Sequence, residues 1–145
     1  MTVRSIIARS PARPSVVLVV GNDRDELIAW VEMLREHGFY ATGAEGGRAA
    51  LHKAGRAAPD VVVLDFRGRP SSGAAAVRQI RERSAGSSTK LLVASAKSPT
   101  VLGQYLAEYD AFIARPFEPA QLLRAIRGLL VESAGAEPRQ GRARD

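Results

Sequence analysis

Asp65 is the residue of this chain whose type and position best suit chemistry, because it closes an apolar run at residues 61–64. Parallel strands buried on both faces have such runs, and their carboxyl ends meet at the edge where α/β sheets place their functional sites. The first apolar run, residues 16–20, ends instead in Gly21 and Asn22, which supply no second carboxylate. The sequence therefore predicts a site at the strand ends that contains one certain acid.

Catalytic motifs are otherwise scarce. His37 and His52 fall on separate predicted helices, and neither has a carboxylate or a second histidine at ligand spacing. Ser95 has no base that the sequence identifies, and Gly46-Gly47 is not followed by the Lys-Ser/Thr of a phosphate loop. We therefore expect no enzymatic activity. A nucleotide- or flavin-binding enzyme on the same sheet is an alternative that predicts a ligand at the carboxyl ends of the strands.

The composition indicates one globular domain. The chain has 145 residues, of which 46% are hydrophobic and 25% charged, enough for a single core. It contains no cysteine, which excludes disulfides and thiolate ligands and favours a reducing compartment. No apolar run approaches the roughly 20 residues of a membrane span, and the start of the chain lacks the apolar stretch of a signal peptide. We expect a cytoplasmic protein without a membrane partner.

The positive charge is concentrated at the two ends of the chain. Residues 1–15 have a net charge of +3 and residues 133–145 of +1, which leaves +2 for residues 16–132 out of a total of +6. Both ends are rich in Pro, Ala, Gly and Ser, as flexible segments are. We interpret them as a flexible basic N-terminal segment and a flexible C-terminal tail around one domain. Nucleic-acid binding through these ends is a less favoured alternative from another functional class.

Strand and helix patterns alternate along residues 16–132. The predicted strands cover residues 16–20, 39–42, 60–65, 90–95 and 111–114. The predicted helices are one that reaches residue 37, then residues 47–55, 73–83 and 98–108, and a last one from residue 118. Five strands that alternate with five helices predict an α/β fold, with a parallel sheet covered on both faces.

Several short motifs recur in order over about residues 16–131. They are Val-Val-Gly-Asn-Asp at 19–23, Ala-Glu-Gly-Gly at 44–47, Asp65 followed eight residues later by Gly73, Ser95-Ala96, and Phe-Ile-Ala-Arg-Pro-Phe at 112–117. Together they resemble the receiver domain of two-component response regulators. The resemblance implies a flavodoxin-like, doubly wound five-stranded sheet. It also implies an aspartate that accepts phosphate from a histidine kinase with the help of Mg²⁺.

The resemblance also assigns roles to single positions. Asp65 matches the phospho-accepting aspartate, Ser95 the hydroxyl that contacts the phosphoryl group, and Phe112 the aromatic switch residue. Arg115 stands where the family has a lysine at the end of a strand. The acidic pair that holds Mg²⁺ in the family falls on Gly21-Asn22.

Two more departures lie in the loop after the aspartate. Arg67 stands where a backbone carbonyl of the family meets the metal, and Arg69 stands where the family usually has proline. Magnesium prefers oxygen ligands that include at least one or two carboxylates, so we expect no metal cofactor. Asp23 is a weak candidate ligand, but with Glu26 it better fits a helix N-cap and capping-box pair.

Arg115 is the predicted substitute for the missing cation. A guanidinium can grip the Asp65 carboxylate through two hydrogen bonds, a geometry that lysine lacks. Arg67 and Arg69 are secondary candidates for the same role. The site would then be paired permanently instead of being phosphorylated.

The sequence thus predicts a stand-alone, atypical receiver domain that acts through protein–protein recognition. Its expected partner is a histidine kinase or a downstream regulator, or a second copy through the face of the fourth helix, fifth strand and fifth helix. Phe112, Tyr105 and Tyr109 are candidate contacts on that face. The alternative is a conventional phospho-accepting receiver, with a weak Mg²⁺ site made by Asn22, Asp23 and Asp65.

Overall fold

The computed structural model describes residues 14–67, 72–83, 89–103, 106 and 108–135. Strands and helices alternate strictly along these residues, as apolar runs and helical spacing predict. In chain order they are β1 (Val16–Gly21), α1 (Arg24–Glu36), β2 (Tyr40–Glu45), α2 (Gly47–Arg56), β3 (Val61–Asp65), α3 (Ser72–Arg83), β4 (Lys90–Ser95), α4 (Pro99–Leu102), β5 (Ala111–Ala114) and α5 (Pro119–Gly135).

The five strands form one parallel sheet in the order β2-β1-β3-β4-β5. Val20 near the end of β1 lies beside Ala44 of β2 on one side and Leu64 of β3 on the other. The strand order reverses between β1 and β3, which is where doubly wound sheets open a crevice at their carboxyl ends. The predicted flavodoxin-like, five-stranded sheet with five helices is confirmed.

Two apolar layers form the core, one on each face of the sheet. Alternate strand residues point to opposite faces, so Val17 and Val19 join α1 and α5, whereas Leu18 and Val20 join α2, α3 and α4. Full burial of one such side chain contributes about 1.5–3 kcal/mol. The apolar strands are thus fixed from both sides, and only their ends are free to vary in chemistry.

Aspartates bind the backbone at the amino ends of two strands. Asp60 Oδ2 accepts the N–H of Val16 at 2.7 Å, and Asp110 Oδ2 accepts the N–H of Leu91 at 2.7 Å. Arg81 of α3 also lies 3.3 Å from Asp110 Oδ2. These carboxylates satisfy amides at strand starts and help to fix the start of each strand.

The edge strand β2 is protected by two basic side chains. Arg35 Nε donates to the carbonyl of Ala41 at 2.8 Å, and Lys53 Nζ donates to the carbonyl of Gly43 at 2.6 Å. Because β2 is the last strand on this side, its outward carbonyls would otherwise be open to pairing with another chain.

Some boundaries differ from those predicted. β2 begins at Tyr40 and continues to Glu45, and α4 ends at Leu102 instead of residue 108, because the helix-destabilising Gly103 follows. α5 continues to Gly135, beyond the predicted domain end at residue 132. Two candidate residues, Arg69 and Tyr105, lie outside the described residues, as do most of the predicted flexible ends. Within the described part, no helix is long and apolar enough to span a membrane.

Candidate functional site

The carboxyl end of the sheet brings four charged side chains together. Asp65 ends β3 and Arg115 follows β5, while Glu26 lies in the first turn of α1 and Arg67 in the loop after β3. The Asp65 side chain is only 2% exposed, whereas that of Arg67 is 48% exposed. The cluster therefore has a buried carboxylate at its base and an arginine at its mouth.

Arg115 contacts both acids of the cluster. Its Nε and Nη2 donate to Asp65 Oδ1 at 3.2 and 3.1 Å. Its Nη1 and Nη2 donate to Glu26 Oε2 and Oε1 at 3.0 and 2.6 Å. The predicted contact between Arg115 and Asp65 is present, but its geometry differs. The two-pronged grip is on Glu26, and both bonds to Asp65 end on one oxygen.

Arg67 binds the other oxygen of Asp65. Its Nε donates to Asp65 Oδ2 at 3.0 Å, and its Nη2 lies 3.0 Å from the same atom. The Nη2 of Arg67 also reaches Glu26 Oε1 at 3.4 Å. Both carboxylate oxygens of Asp65 therefore accept hydrogen bonds from guanidinium groups. Arg67 contributes less than the less exposed Arg115 because water screens its charge.

The cluster as a whole is electrically neutral, since two carboxylates face two guanidinium groups. Burial alone would lower the pKa of Arg115, but the hydrogen bond with Glu26 and the charge of Asp65 outweigh it, so the pKa is raised above its ordinary value. Arg115 therefore stays charged at any physiological pH. It provides a permanent positive charge within bonding distance of the buried aspartate.

Two aromatic rings hold the Arg115 side chain in place. Its Cζ lies 5.3 Å from the ring centroid of Trp30 and 5.6 Å from that of Phe117. The two rings are themselves 5.3 Å apart and tilted by 39°. At these distances a guanidinium is attracted to the faces of aromatic rings. Arg115 is thus fixed by rings as well as by carboxylates.

Glu26 is the residue of the cluster that sequence reasoning missed. The predicted N-cap is confirmed, because Asp23 Oδ1 accepts the N–H of Glu26 at 3.1 Å. The predicted capping-box role of Glu26 was wrong. Its side chain binds Arg115 instead, because a charged guanidinium is the stronger hydrogen-bond partner. The available signal was its spacing: Glu26 and Trp30 are four residues apart on α1, so both face Arg115.

Comparison with known proteins identifies the family. A model of the response regulator receiver domain matches residues 17–127 of the chain. The chain belongs to this family. Receiver domains are signalling modules of two-component systems, in which response regulators interact with kinases and downstream regulators.

Relatives of this receiver domain include longer regulatory proteins. The probable transcriptional regulatory protein TcrX of Mycobacterium tuberculosis is 32% identical over 123 residues, which are 84% of this chain and 52% of TcrX. The sensory transduction protein RegX3 of Mycobacterium bovis is 30% identical over 114 residues, 79% of this chain and 50% of RegX3. The chain thus spans about half the length of the curated relatives it matches.

Solved structures show the same fold over most of the receiver domain. The chemotaxis protein CheY4 of Vibrio cholerae superposes with a TM-score of 0.70 at 26% identity, covering 80% of this chain and 98% of CheY4. The response regulator TrrA of Thermotoga maritima, solved in complex with Mg²⁺-BeF, gives a TM-score of 0.65 at 25% identity, covering 79% of this chain and 98% of TrrA.

The two positions of the missing acidic pair lie at the end of β1 beside Asp65. Gly21 is buried, and a Cβ built there would stand 3.1 Å from Asp65 Cβ and 3.4 Å from Asp65 Oδ2. Asn22 is exposed. Among the described residues, no group of three His, Asp or Glu side chains is arranged to hold a metal ion. The expectation that the receiver works without a metal stays a prediction.

Of the two predicted switch residues, Ser95 ends β4 and Phe112 is the second residue of β5. Ser95 is fully buried, and its hydroxyl accepts the N–H of Lys97 at 2.9 Å while its carbonyl accepts the N–H of Arg115 at 3.0 Å. Phe112 is half-buried, with its ring centroid 6.4 Å from that of Tyr109. Their roles in switching stay predictions.

Proposed function

We propose that this receiver domain signals through protein–protein recognition and that its charge cluster replaces Mg²⁺-dependent phosphorylation of Asp65. The supporting observation is the contact of Arg115 with both Asp65 and Glu26. In a phosphorylated receiver, charge pairing at this aspartate would last only as long as the phosphoryl group and the metal are bound. In this proposal the pairing of Asp65 with positive charge is built into the chain and is always present.

The chemistry of phosphoryl transfer supports this reading. Transfer to a carboxylate brings the negative charge of the donor close to that of the acceptor, and bound cations normally neutralise it. Here each carboxylate oxygen of Asp65 already accepts hydrogen bonds from one arginine, Arg115 or Arg67. Before such an oxygen could attack the phosphoryl donor, its guanidinium partner would have to move away. Displacing the largely buried Arg115 breaks an ion pair whose loss costs about 3–5 kcal/mol, whereas Arg67 is nearly half exposed and opposes attack at its oxygen less.

The donor set also fits Mg²⁺ poorly. At the ends of β1 and β3, Asp65 is the one carboxylate, since Gly21 has no side chain and Asn22 has a neutral amide. Asp23 is engaged as the N-cap of α1, and Glu26 is engaged by Arg115. A divalent cation would have to displace two guanidinium groups to gain its ligands.

The proposed partner is a kinase or downstream regulator, or a second copy of this chain, in the cytoplasm. The face of α4, β5 and α5 is the proposed surface, with Phe112 and Tyr109 as contacts. Phe112 and Tyr109 are half-buried neighbours there, and Val101 of α4 is 36% exposed. Such partly covered aromatic groups are the kind that anchors protein interfaces.

Incubation with acetyl phosphate and Mg²⁺, followed by intact-mass measurement, tests the proposal. The wild-type chain should gain no phosphate. The variant Asn22→Asp/Arg115→Lys, which returns an acid and the family's lysine, should gain one, and adding Asp65→Asn to that variant should abolish the gain. A stable single adduct on wild-type Asp65 would overturn the proposal.

A conventional phospho-accepting receiver is the second candidate. Its support is the related TrrA, which is solved with Mg²⁺-BeF, and an open depression of about 490 Å³ lined by Asn22, Asp23, Arg24, Asp25 and Arg67. Titration with MgCl₂ separates the two candidates through the fluorescence of the single tryptophan, because Trp30 contacts Arg115. Saturable quenching or enhancement that Asp65→Asn removes would favour the conventional receiver.

A further inference from the structure

The two helical layers of this receiver domain differ strongly in charge. Helices α2 and α3, on one side of the sheet, contain six basic residues and one acidic residue, a net charge of +5. Helices α1 and α5, on the other side, contain four basic and five acidic residues, a net charge of −1. The net charge of residues 16–132 is only +2, but the positive charge lies mainly on one side of the domain.

The charges of α2 and α3 are largely open to water. Arg48, Arg56, Arg78 and Arg83 are exposed, and none of them forms an ion pair with another residue that the structure describes. On α2, His52 lies between Arg48 and Arg56 at four-residue spacing, so successive side chains are about 6 Å apart along the same side of the helix. These arginines can therefore present positive charge to a partner without first breaking an ion pair.

The two helices form one continuous surface. They pack directly against each other over the same side of the sheet, with Ala50 of α2 and Ala76 and Val77 of α3 in a common apolar layer. We call the exposed arginines Arg48, Arg56, Arg78 and Arg83 the basic face. This face belongs to different helices from the surface of α4, β5 and α5 that is proposed for protein recognition.

We propose that the basic face binds the phosphate backbone of double-stranded nucleic acid without sequence preference. Phosphate contacts need only exposed Arg or Lys side chains, and such contacts supply most of the affinity of non-specific binding. The proposal concerns a separate surface and does not depend on how Asp65 behaves.

The composition of the face favours duplex nucleic acid over other acidic partners. Protein interfaces have aromatic or large apolar anchors at their centres. The described large hydrophobic side chains that are exposed, Ile28, Tyr40, Val101 and Val131, all lie outside α2 and α3, and of these Tyr40 borders the end of α2 beside Arg56. Single strands are bound mainly by Phe, Tyr and Trp side chains on which bases stack, and neither helix contains any of these three residues.

The strength of the salt dependence follows from the number of phosphates neutralised. Four arginine contacts predict a slope of log K against log salt of about −3.6, or a fall in affinity of roughly 100-fold between 50 and 200 mM salt. Loss of two contacts should reduce the slope by about 1.8. This number distinguishes binding by the basic face from a weak general attraction.

Fluorescence anisotropy with a labelled duplex of about 20 base pairs tests the proposal on the full chain. The variant Arg48→Glu/Arg56→Glu should bind about 30-fold more weakly at low salt than the wild type. The matched control is Arg124→Glu/Arg127→Glu, which makes the same change in charge at exposed positions of α5. The control should lose less than about threefold, and circular dichroism melts should show that both variants stay folded.

Four results would overturn the proposal. One is absence of salt-dependent binding by the wild type, and another is an equal loss in the α2 variant and the α5 control. A third is that Arg4→Gln/Arg9→Gln/Arg13→Gln alone removes binding, which would place the site in residues 1–15. The fourth is that labelled polyglutamate binds as tightly as the duplex with the same dependence on Arg48 and Arg56, which would indicate an acidic protein as the partner.

Discussion

Aspartates stand at both ends of the sheet, and they are held in different ways. At the amino ends, Asp60 and Asp110 accept backbone N–H groups of Val16 and Leu91, and Arg81 adds an ion pair to Asp110. At the carboxyl end, the contacts of the Asp65 carboxylate are with guanidinium groups of side chains. Backbone amides are present whatever the sequence, whereas guanidinium groups exist only where arginines are encoded. The backbone partners at the amino ends are therefore a property of the fold, whereas the guanidinium partners of Asp65 are a property of this particular chain.

This difference indicates how a receiver domain can keep its fold while its site changes. Substitutions at the carboxyl end alter charge pairing far from the strand starts, and of the four charged side chains Arg115 also contacts an apolar layer, through Trp30 and Phe117. Four predictions test the comparison, each by changing the pairing at one end of the sheet. They are ordered from the largest expected effect to the smallest.

Arg115→Ala should have the largest effect. It leaves the buried Asp65 carboxylate without its main partner, frees Glu26 and removes the contacts with Trp30 and Phe117. We expect a loss of about 3–5 kcal/mol in the free energy of unfolding, measured by urea denaturation. The control Arg124→Ala, at an exposed position of α5, should change it by less than about 0.5 kcal/mol. Similar values for the two variants would show that the cluster does not stabilise the domain.

Asp60→Ala should cost about 1.5–3 kcal/mol, because a backbone N–H loses a charged acceptor. The two ends of the sheet should act independently, so this cost should add to that of Arg115→Ala within about 0.5 kcal/mol.

In contrast, Asp65→Asn and Arg115→Ala should be coupled by more than about 1 kcal/mol, because the residues are in contact. A double-mutant cycle in urea measures both pairs, and coupling between Asp60 and Arg115 would contradict the comparison.

Arg115→Lys should introduce a dependence on alkaline pH. The contact with acids raises the pKa of a paired base, so its stabilisation is present below the unfolded-state pKa and is lost as pH rises through the folded-state pKa. For arginine that range lies far above the pH values of the experiment, but for lysine it begins near pH 10.4. Between pH 8 and 11, the difference in unfolding free energy between wild type and variant should grow by about 1 kcal/mol. A constant difference would indicate that residue 115 is not paired in the variant.

Arg67→Ala should have the smallest effect, less than about 1 kcal/mol in urea denaturation, because nearly half of the side chain faces water. The same substitution frees one oxygen of Asp65. It therefore separates the stability of the cluster from access to the carboxylate, which acetyl phosphate labelling reports. A loss as large as that of Arg115→Ala would mean that the mouth of the site matters as much as its base.

Sequence reasoning reached the sheet and part of the site. The apolar strands are predictable because burial on both faces demands continuous hydrophobic runs, and the contact of Asp65 with Arg115 follows because parallel strands end at one edge. Glu26 was missed because an acid in the first turn of a helix has a sufficient explanation in capping. Its bond to Arg115 joins positions 89 residues apart, which no local pattern reveals. The end of α4 was missed because apolar spacing continued past Gly103.

The short distance between Gly21 and Asp65 affects the order in which mutations could introduce an acidic pair at positions 21 and 22. A side chain at position 21 would have its first carbon 3.1 Å from that of Asp65, so a neighbour would have to shift to make room. Position 22 is exposed and accepts an acid without crowding. Of the two steps, the one at Asn22 is sterically open at once, whereas the one at Gly21 requires the Asp65 side chain to shift by a few tenths of an ångström.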